Sequence, residues 1–142
     1  MLARVGSVAL VLIITLGAAA CARSDGNGKP SPSGELGVVT QEDAQAAVDG
    51  LCRMHGLQPD QLDAANGVFY DRVHEELHVI AAATQKDDRV ASAHLLVAKE
   101  RMEDDLRSKG VLPESYGADV DALTRATLAA LRAVDLPVKG CG

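Results

Sequence analysis

Three residues in the middle of the chain have the types and spacing of a metal site. His74, Glu75 and His78 lie in the run His-Glu-Glu-Leu-His. Two histidines four residues apart share one face of an α-helix, where both imidazole rings can bind the same zinc ion. A glutamate between them can serve as general base on a metal-bound water. One hypothesis is therefore a divalent-metal site with the means for hydrolysis.

A metal held by two histidines needs further ligands, and the next predicted helix offers two. If the chain turns at residues 86–88 into an antiparallel helix, residues equidistant from the turn lie at the same height. This register places His94 near His78 and Glu100 near His74. The metal hypothesis therefore adds His94 or Glu100 as third ligand to the two histidines and leaves the glutamate between them as the base.

The two short motifs resemble those of zinc metalloproteases. The run at residues 74–78 is similar to the His-Glu-x-x-His motif, and Glu100-Arg-Met-Glu-Asp104 is similar to the Glu-x-x-x-Asp second motif of the gluzincin group. The resemblance implies that Glu100 is the third zinc ligand and that the protein is a hydrolase. Those enzymes also align their substrate on a β-strand beside the metal, and no alternating strand pattern follows residue 39.

The hydrophobic residues around the histidines support a different interpretation, an amphipathic helix without a metal. The predicted buried stripe of this helix consists of Phe69, Val73, Leu77, Ile80 and Thr84. At ~100° per residue, His74 lies roughly 90° and His78 roughly 130° from the centre of that stripe. In this interpretation the two histidines form the solvated shoulder of a packing helix.

Residues 1–20 have the composition of a secretory signal peptide. A basic start is followed by an apolar run from Val5 to Leu16 and then by small residues. That run is shorter than the ~20 residues that a permanent membrane span needs. Small residues directly before Cys21 resemble the signal of bacterial lipoproteins, which implies cleavage there and lipid on the Cys21 sulfur. Simple secretion with cleavage after Ala20 is the alternative.

Cysteine usage predicts one disulfide bond. The chain has three cysteines, so an exported protein has one odd thiol unless one cysteine serves another purpose. Lipid on Cys21 removes the odd thiol and leaves Cys52 and Cys141 as a pair in an oxidising compartment. The alternative is that these two are unrelated thiols.

Residues 21–39 predict a disordered tether, because they are rich in Gly, Ser and Pro and poor in large apolar side chains. A tether between a lipidated cysteine and a folded domain holds the domain off the membrane surface. We therefore expect an exported protein anchored, through lipid on Cys21, to the outer face of the bacterial cell membrane.

The composition argues against nucleic-acid binding. The formal net charge is −6, and the chain has two Tyr, one Phe and no Trp. No Lys/Arg cluster is present to neutralise phosphates, and no aromatic series could stack on bases.

Residues 40–142 predict a small all-α domain, an antiparallel four-helix bundle closed by the disulfide. The predicted helices begin at the Thr40 cap, at residues 66–68, at the Asp88 cap and at the Asp119 cap, and they end near Gly56, Gln85, Ser108 and Pro137. The third helix has a broad apolar face made of Val90, Ala91, His94, Leu95, Val97, Ala98, Met102 and Leu106.

These patterns favour a non-catalytic envelope lipoprotein whose helical domain binds a protein or a small ligand. Val68 and Val79, on the outer side of the second helix, are the predicted contact face. This function requires no cofactor. The alternative is a metal-binding protein, or a zinc hydrolase, that uses His74 and His78.

Overall fold

The computed structural model describes residues 38–142, so the predicted signal peptide, Cys21 and most of the predicted tether lie outside the described residues. Every element within residues 38–142 is helical. The elements are α1 (Gln41–His55), α2 (Leu62–Val68), a π-helical segment (Phe69–Val73), α3 (His74–Thr84), α4 (Arg89–Leu106) and α5 (Tyr116–Ala133). They pack as a helical bundle around one hydrophobic core, which confirms the predicted all-α class.

Two of the predicted helix caps are present as hydrogen bonds. Thr40 Oγ1 accepts from the backbone N–H of Asp43 at 3.2 Å and begins α1. Asp88 Oδ1 accepts from the N–H groups of Val90 and Ala91 at 3.0 and 2.9 Å and begins α4. Each cap satisfies donors that have no partner within the first turn of a helix.

The second helical region begins earlier than predicted, at Leu62 instead of residues 66–68. Before it, the N–H of Gln58 donates to Gln61 Oε1 at 2.8 Å, and this contact orders the connector. Asn66 lies inside α2 instead of at its start. Its side-chain amide donates to the carbonyl of Leu62 at 3.1 Å.

α2 continues through the π-helical segment into α3 without a break. Ala65, Phe69, Val73 and Leu77 are all fully buried although they are four residues apart. In an α-helix of 3.6 residues per turn, each four-residue step turns the side chain by ~40°, or roughly 120° over three steps. The wider π-helical turn absorbs this rotation and keeps the four side chains on the core. All five residues of the predicted stripe are buried.

α1 lies against the π-helical segment at Gly50, which is buried in the middle of α1. A Cβ atom at this position would overlap Val73 Cγ2. Glycine therefore permits the close approach of the two helices here, despite its low helix propensity.

The segment after α5 returns along α1. Lys139 N–H donates to Gln45 Oε1 at 2.9 Å, and Gln45 Nε2 donates to the Lys139 carbonyl at 3.1 Å. About two helical turns further along α1, Cys52 forms a disulfide bond with Cys141. Their Cα atoms are 5.3 Å apart. The predicted disulfide is confirmed.

α5 begins at Tyr116, three residues before its predicted Asp119 cap. Tyr116 is 5% exposed, and its hydroxyl donates to the Met54 carbonyl in the last turn of α1 at 3.0 Å. Burial, followed by the nearby charge of Asp105, raises the pKa of Tyr116 to about 12. This tertiary contact explains why the helix extends over residues that the sequence assigns to a loop.

The ordered part of the domain includes Val39, which the sequence places in the tether. Val39 is 9% exposed and belongs to the hydrophobic core, whereas the preceding Val38 is 57% exposed. The core therefore includes the residue directly before the α1 cap.

Candidate functional site

The two histidines of the His-Glu-Glu-Leu-His run lie side by side at the start of α3. The ring centroids of His74 and His78 are 4.9 Å apart, with the rings nearly perpendicular. His74 is half-buried and His78 is exposed. The shared face and the partial exposure agree with the helical-wheel estimate from the sequence.

Across from His74, α4 contributes an ion pair that the sequence motifs did not identify. Glu103 Oε1 lies 2.9 Å from His74 Nε2 and accepts a hydrogen bond from Lys99 Nζ at 2.6 Å. The Lys99 side chain is only 7% exposed. A buried ammonium is stable only with a close anionic partner, so Glu103 has a structural role at this position.

Charges in this cluster shift the pKa values of two members. Partial burial disfavours ionised Glu103, but the Lys99 hydrogen bond and charge, together with those of His74, outweigh it and lower the pKa of Glu103. Desolvation, then the charges of Lys99 and His74, lower the pKa of His78. The local field therefore favours a neutral imidazole at His78 and an ionised carboxylate at Glu103.

Neither of the two predicted third metal ligands joins His74 and His78. His94 lies on the side of α4 that faces α5, and Glu100 is exposed. At ~100° per residue, nine residues separate His94 from Glu103 by about 180° around α4. The hairpin estimate considered only height along the helices and neglected this rotation. Within residues 38–142, no group of three or more His, Cys, Asp or Glu side chains is placed to hold a metal ion.

We expect Glu103→Gln to lower the free energy of unfolding by about 1–3 kcal/mol, because it removes the anionic partner of a buried ammonium. Glu100→Gln is the matched control, since it makes the same change at an exposed position of α4, and it should change stability by less than ~0.5 kcal/mol. Urea denaturation at pH 7 measures both. Equal effects of the two variants would show that the ion pair contributes nothing.

The same pair sets a pH dependence. The folded pKa of Glu103 lies below its ordinary value of 4.5. Its contribution to stability is therefore complete well above pH 4.5 and is lost as the pH falls through the folded pKa. Glu103→Gln should remove this part of the acid sensitivity.

A separate polar contact, made by Asp105 and Ser115, joins the end of α4 to the start of α5. Asp105 is 9% exposed, its Oδ1 accepts from the Ser115 hydroxyl at 2.8 Å, and its Oδ2 is buried without a hydrogen-bond partner among the described residues. Burial raises the pKa of Asp105; the Ser115 hydrogen bond opposes this, and the nearby negative charges of Asp119 and Asp104 add to it. This contact fixes the loop between α4 and α5.

A groove of about 540 Å³ lies between α4 and α5. Its walls include Ala98 from α4 and the row Ala122, Ala126 and Ala129 from α5. These small side chains make the groove shallow and apolar, and they leave it open to solvent along its length.

The broad apolar face that the sequence predicts for α4 is divided in two. Leu95, Ala98, Met102 and Leu106 are buried in the core. Val90 and Val97, in contrast, are 64% and 49% exposed and line the groove together with His94. α3 and α5 cover only part of α4, so the remainder of its apolar face stays accessible.

Two arginines line the groove, Arg101 on α4 and Arg125 on α5. Both are exposed, and neither forms an ion pair with another residue in the described part of the chain. The groove is also lined by Asp88, whose carboxylate is engaged as the α4 cap. The groove therefore combines an apolar floor with available positive charge.

No family model, curated protein or solved structure matches this chain.

The contact face predicted at Val68 and Val79 is wrong. Both side chains are partly buried against the hydrophobic core. The helical wheel placed them outside because it treats one helix alone, whereas α2 has neighbours in α1 and α4, and α3 has neighbours in α1, α4 and α5. Among residues 38–142, no helix is both long enough and apolar enough to cross a membrane.

Proposed function

We propose that this protein is an exported lipoprotein, anchored through lipid on Cys21 to the outer face of the bacterial cell membrane, whose helical domain binds a partner without catalysis. The signal-like N-terminus and the Gly/Ser/Pro-rich segment after Cys21 support the anchor. The observation that carries the binding function is the open groove between α4 and α5 with its exposed valines and arginines.

The proposed architecture is an antiparallel four-helix bundle in which α2, the π-helical segment and α3 count as one helix. α1 contacts both this long helix and α5, while α4 contacts α3 and α5. These contacts close a ring of four neighbours, the arrangement expected when short links join successive helices. α4 and α5 are adjacent in this ring, and the groove follows their seam.

A binding role fits the described residues better than hydrolysis does. The His74 and His78 rings share a face, but the Lys99 ammonium and the Glu103 carboxylate beside them already form a closed ion-pair network. A cation bound to this pair would meet repulsion from the buried ammonium. The groove, by contrast, presents the side chains of Val90 and Val97, which are 64% and 49% exposed.

Photo-crosslinking in intact cells tests this function. We expect Val97→p-benzoylphenylalanine, with the photoreactive side chain at the groove, to give a discrete adduct in the membrane fraction. Tyr70→p-benzoylphenylalanine is the matched control, because Tyr70 is comparably exposed at 47% but does not line the groove.

Cys21→Ser in the same cells should move the protein from the membrane fraction to the soluble fraction, whereas Ser24→Ala should not. Identical adduct patterns from positions 97 and 70 would refute a groove-based function. Membrane retention of Cys21→Ser would refute the lipid anchor.

A further inference from the structure

We propose that the α4–α5 groove binds an acidic amphipathic helix of a partner protein; this inference rests on the binding function proposed above and names its partner. The groove extends along α4 from Asp88 to Arg101. At 1.5 Å per residue this is about 20 Å, or between three and four helical turns. On α5 the lining runs from Ala122 to Ala129, about 10 Å. An open channel along two helices fits an elongated segment better than a compact small molecule, which proteins usually enclose.

The floor of the groove has the form that close helix packing requires. Ala122, Ala126 and Ala129 follow one another at spacings of four and three residues along α5, so they form one ridge of small side chains. Helices pack with their axes 8–10 Å apart, and small residues at the contact allow the lower end of that range. Val90 and Val97 stand beside this ridge and offer apolar contacts to an incoming helix.

The charge of the groove selects an acidic partner. Three basic and two acidic residues precede residue 38, which leaves 11 basic and 18 acidic residues and a net charge of −7 in the described part. Arg101 and Arg125 thus place two positive charges on the lining of the groove, in a domain of net negative charge. Carboxylates beside the apolar face of a bound helix would pair with these arginines, while the rest of the domain would repel acidic segments that bind elsewhere.

The test uses the purified protein and fluorescein-labelled synthetic peptides of about 14 residues, the length that matches the groove. One peptide carries Leu and Ala at helical spacing with Glu on both flanks of that stripe. A second has the same composition in scrambled order, and a third carries Lys in place of every Glu. We expect the first peptide alone to bind, with an affinity that falls as salt rises.

Arg101→Glu/Arg125→Glu should weaken binding of the acidic peptide by about tenfold or more, equivalent to at least ~1.4 kcal/mol, and should permit binding of the Lys peptide. Arg72→Glu/Arg132→Glu makes the same charge change at exposed positions outside the groove and should leave the affinity within about twofold. Circular dichroism confirms that both variants are folded.

Equal binding of the ordered and scrambled peptides would overturn the inference, as would equal affinities of the two double variants. The crosslinking experiment separates the two proposals. An adduct from Val97 to a lipid or to a second copy of this chain would leave the groove function standing and would refute the acidic helix. Absence of a groove-specific adduct would refute both.

Discussion

Replacing Cys52 and Cys141 together with serine is expected to lower the free energy of unfolding by about 4 kcal/mol. The bridge spans 89 residues of sequence, and closing a loop of that size removes much of the conformational entropy of the unfolded chain. The domain has few other means to compensate, because small helical domains bury a limited fraction of their surface. Urea denaturation of the oxidised protein and of the double variant measures the difference.

Reduction of the wild-type protein should reproduce this loss, whereas a reducing agent should have no effect on the double variant. The hydrogen bonds between Gln45 and Lys139 remain available in the double variant. If these contacts alone held the tail, the double variant would be as stable as the wild type, and that result would contradict the prediction.

Gly50→Ala is expected to destabilise the protein by about 1–3 kcal/mol, the usual cost of inserting an extra group into a well-packed core. Alanine is normally the better residue inside a helix by ~1 kcal/mol. Here the added methyl group would overlap Val73 Cγ2, on a buried side chain of the π-helical segment. The steric conflict therefore reverses the sign that helix propensity alone would give.

Gly67→Ala is the matched control, because Gly67 also lies inside a helix but has open space where a Cβ would be. We expect it to stabilise the protein by up to ~1 kcal/mol. Gly50→Ala/Val73→Ala removes the overlap, so its loss should be smaller than the sum of the two single losses. A stabilising effect of Gly50→Ala would show that α1 can move away from the π-helical segment at little cost.

Much of the bundle could be predicted because local rules and burial agree there. Thr40 and Asp88 are good caps in any context, and both begin helices. The stripe from Phe69 to Thr84 repeats at helical spacing and is buried throughout. The disulfide followed from the number of cysteines and the predicted compartment, without knowledge of the fold.

The remaining features depend on contacts that a helical wheel does not contain. The π-helical turn accompanies the packing of Ala65, Phe69, Val73 and Leu77 against one core. Similarly, Tyr116 extends α5 because its hydroxyl reaches Met54 on another helix. Propensity alone assigns these residues to a loop.

The sequence did not predict which residues of α4 lie opposite the two histidines, because a short motif fixes spacing only within its own helix. His74 and His78 share a face as expected. What stands opposite them is set by the rotation of α4, which places Lys99 and Glu103 there instead of His94 and Glu100. The signal that could have found this pair is the i, i+4 spacing of Lys99 and Glu103 on the predicted third helix.

The sequence did not predict the groove either, because a pattern along one helix does not show which of its faces the neighbouring helices cover. Val90 and Val97 belong to an apolar face, and such a face is ordinarily assigned to the core. Only the packing of neighbouring helices decides how much of a broad face is covered. An excess of apolar width on α4, relative to what α3 and α5 can cover, is therefore the feature that points to a binding surface.

The disulfide also determines how the domain carries mechanical load. A force applied between Val39 and Gly142 passes along α1 to Cys52, across the bridge to Cys141 and out, so the 88 residues between the two cysteines bear no tension. Only the segment from Val39 to Cys52 can be drawn out, to roughly 45 Å when fully extended. The α4–α5 groove lies wholly inside this loop, so neither of its two helices lies on the path of the force.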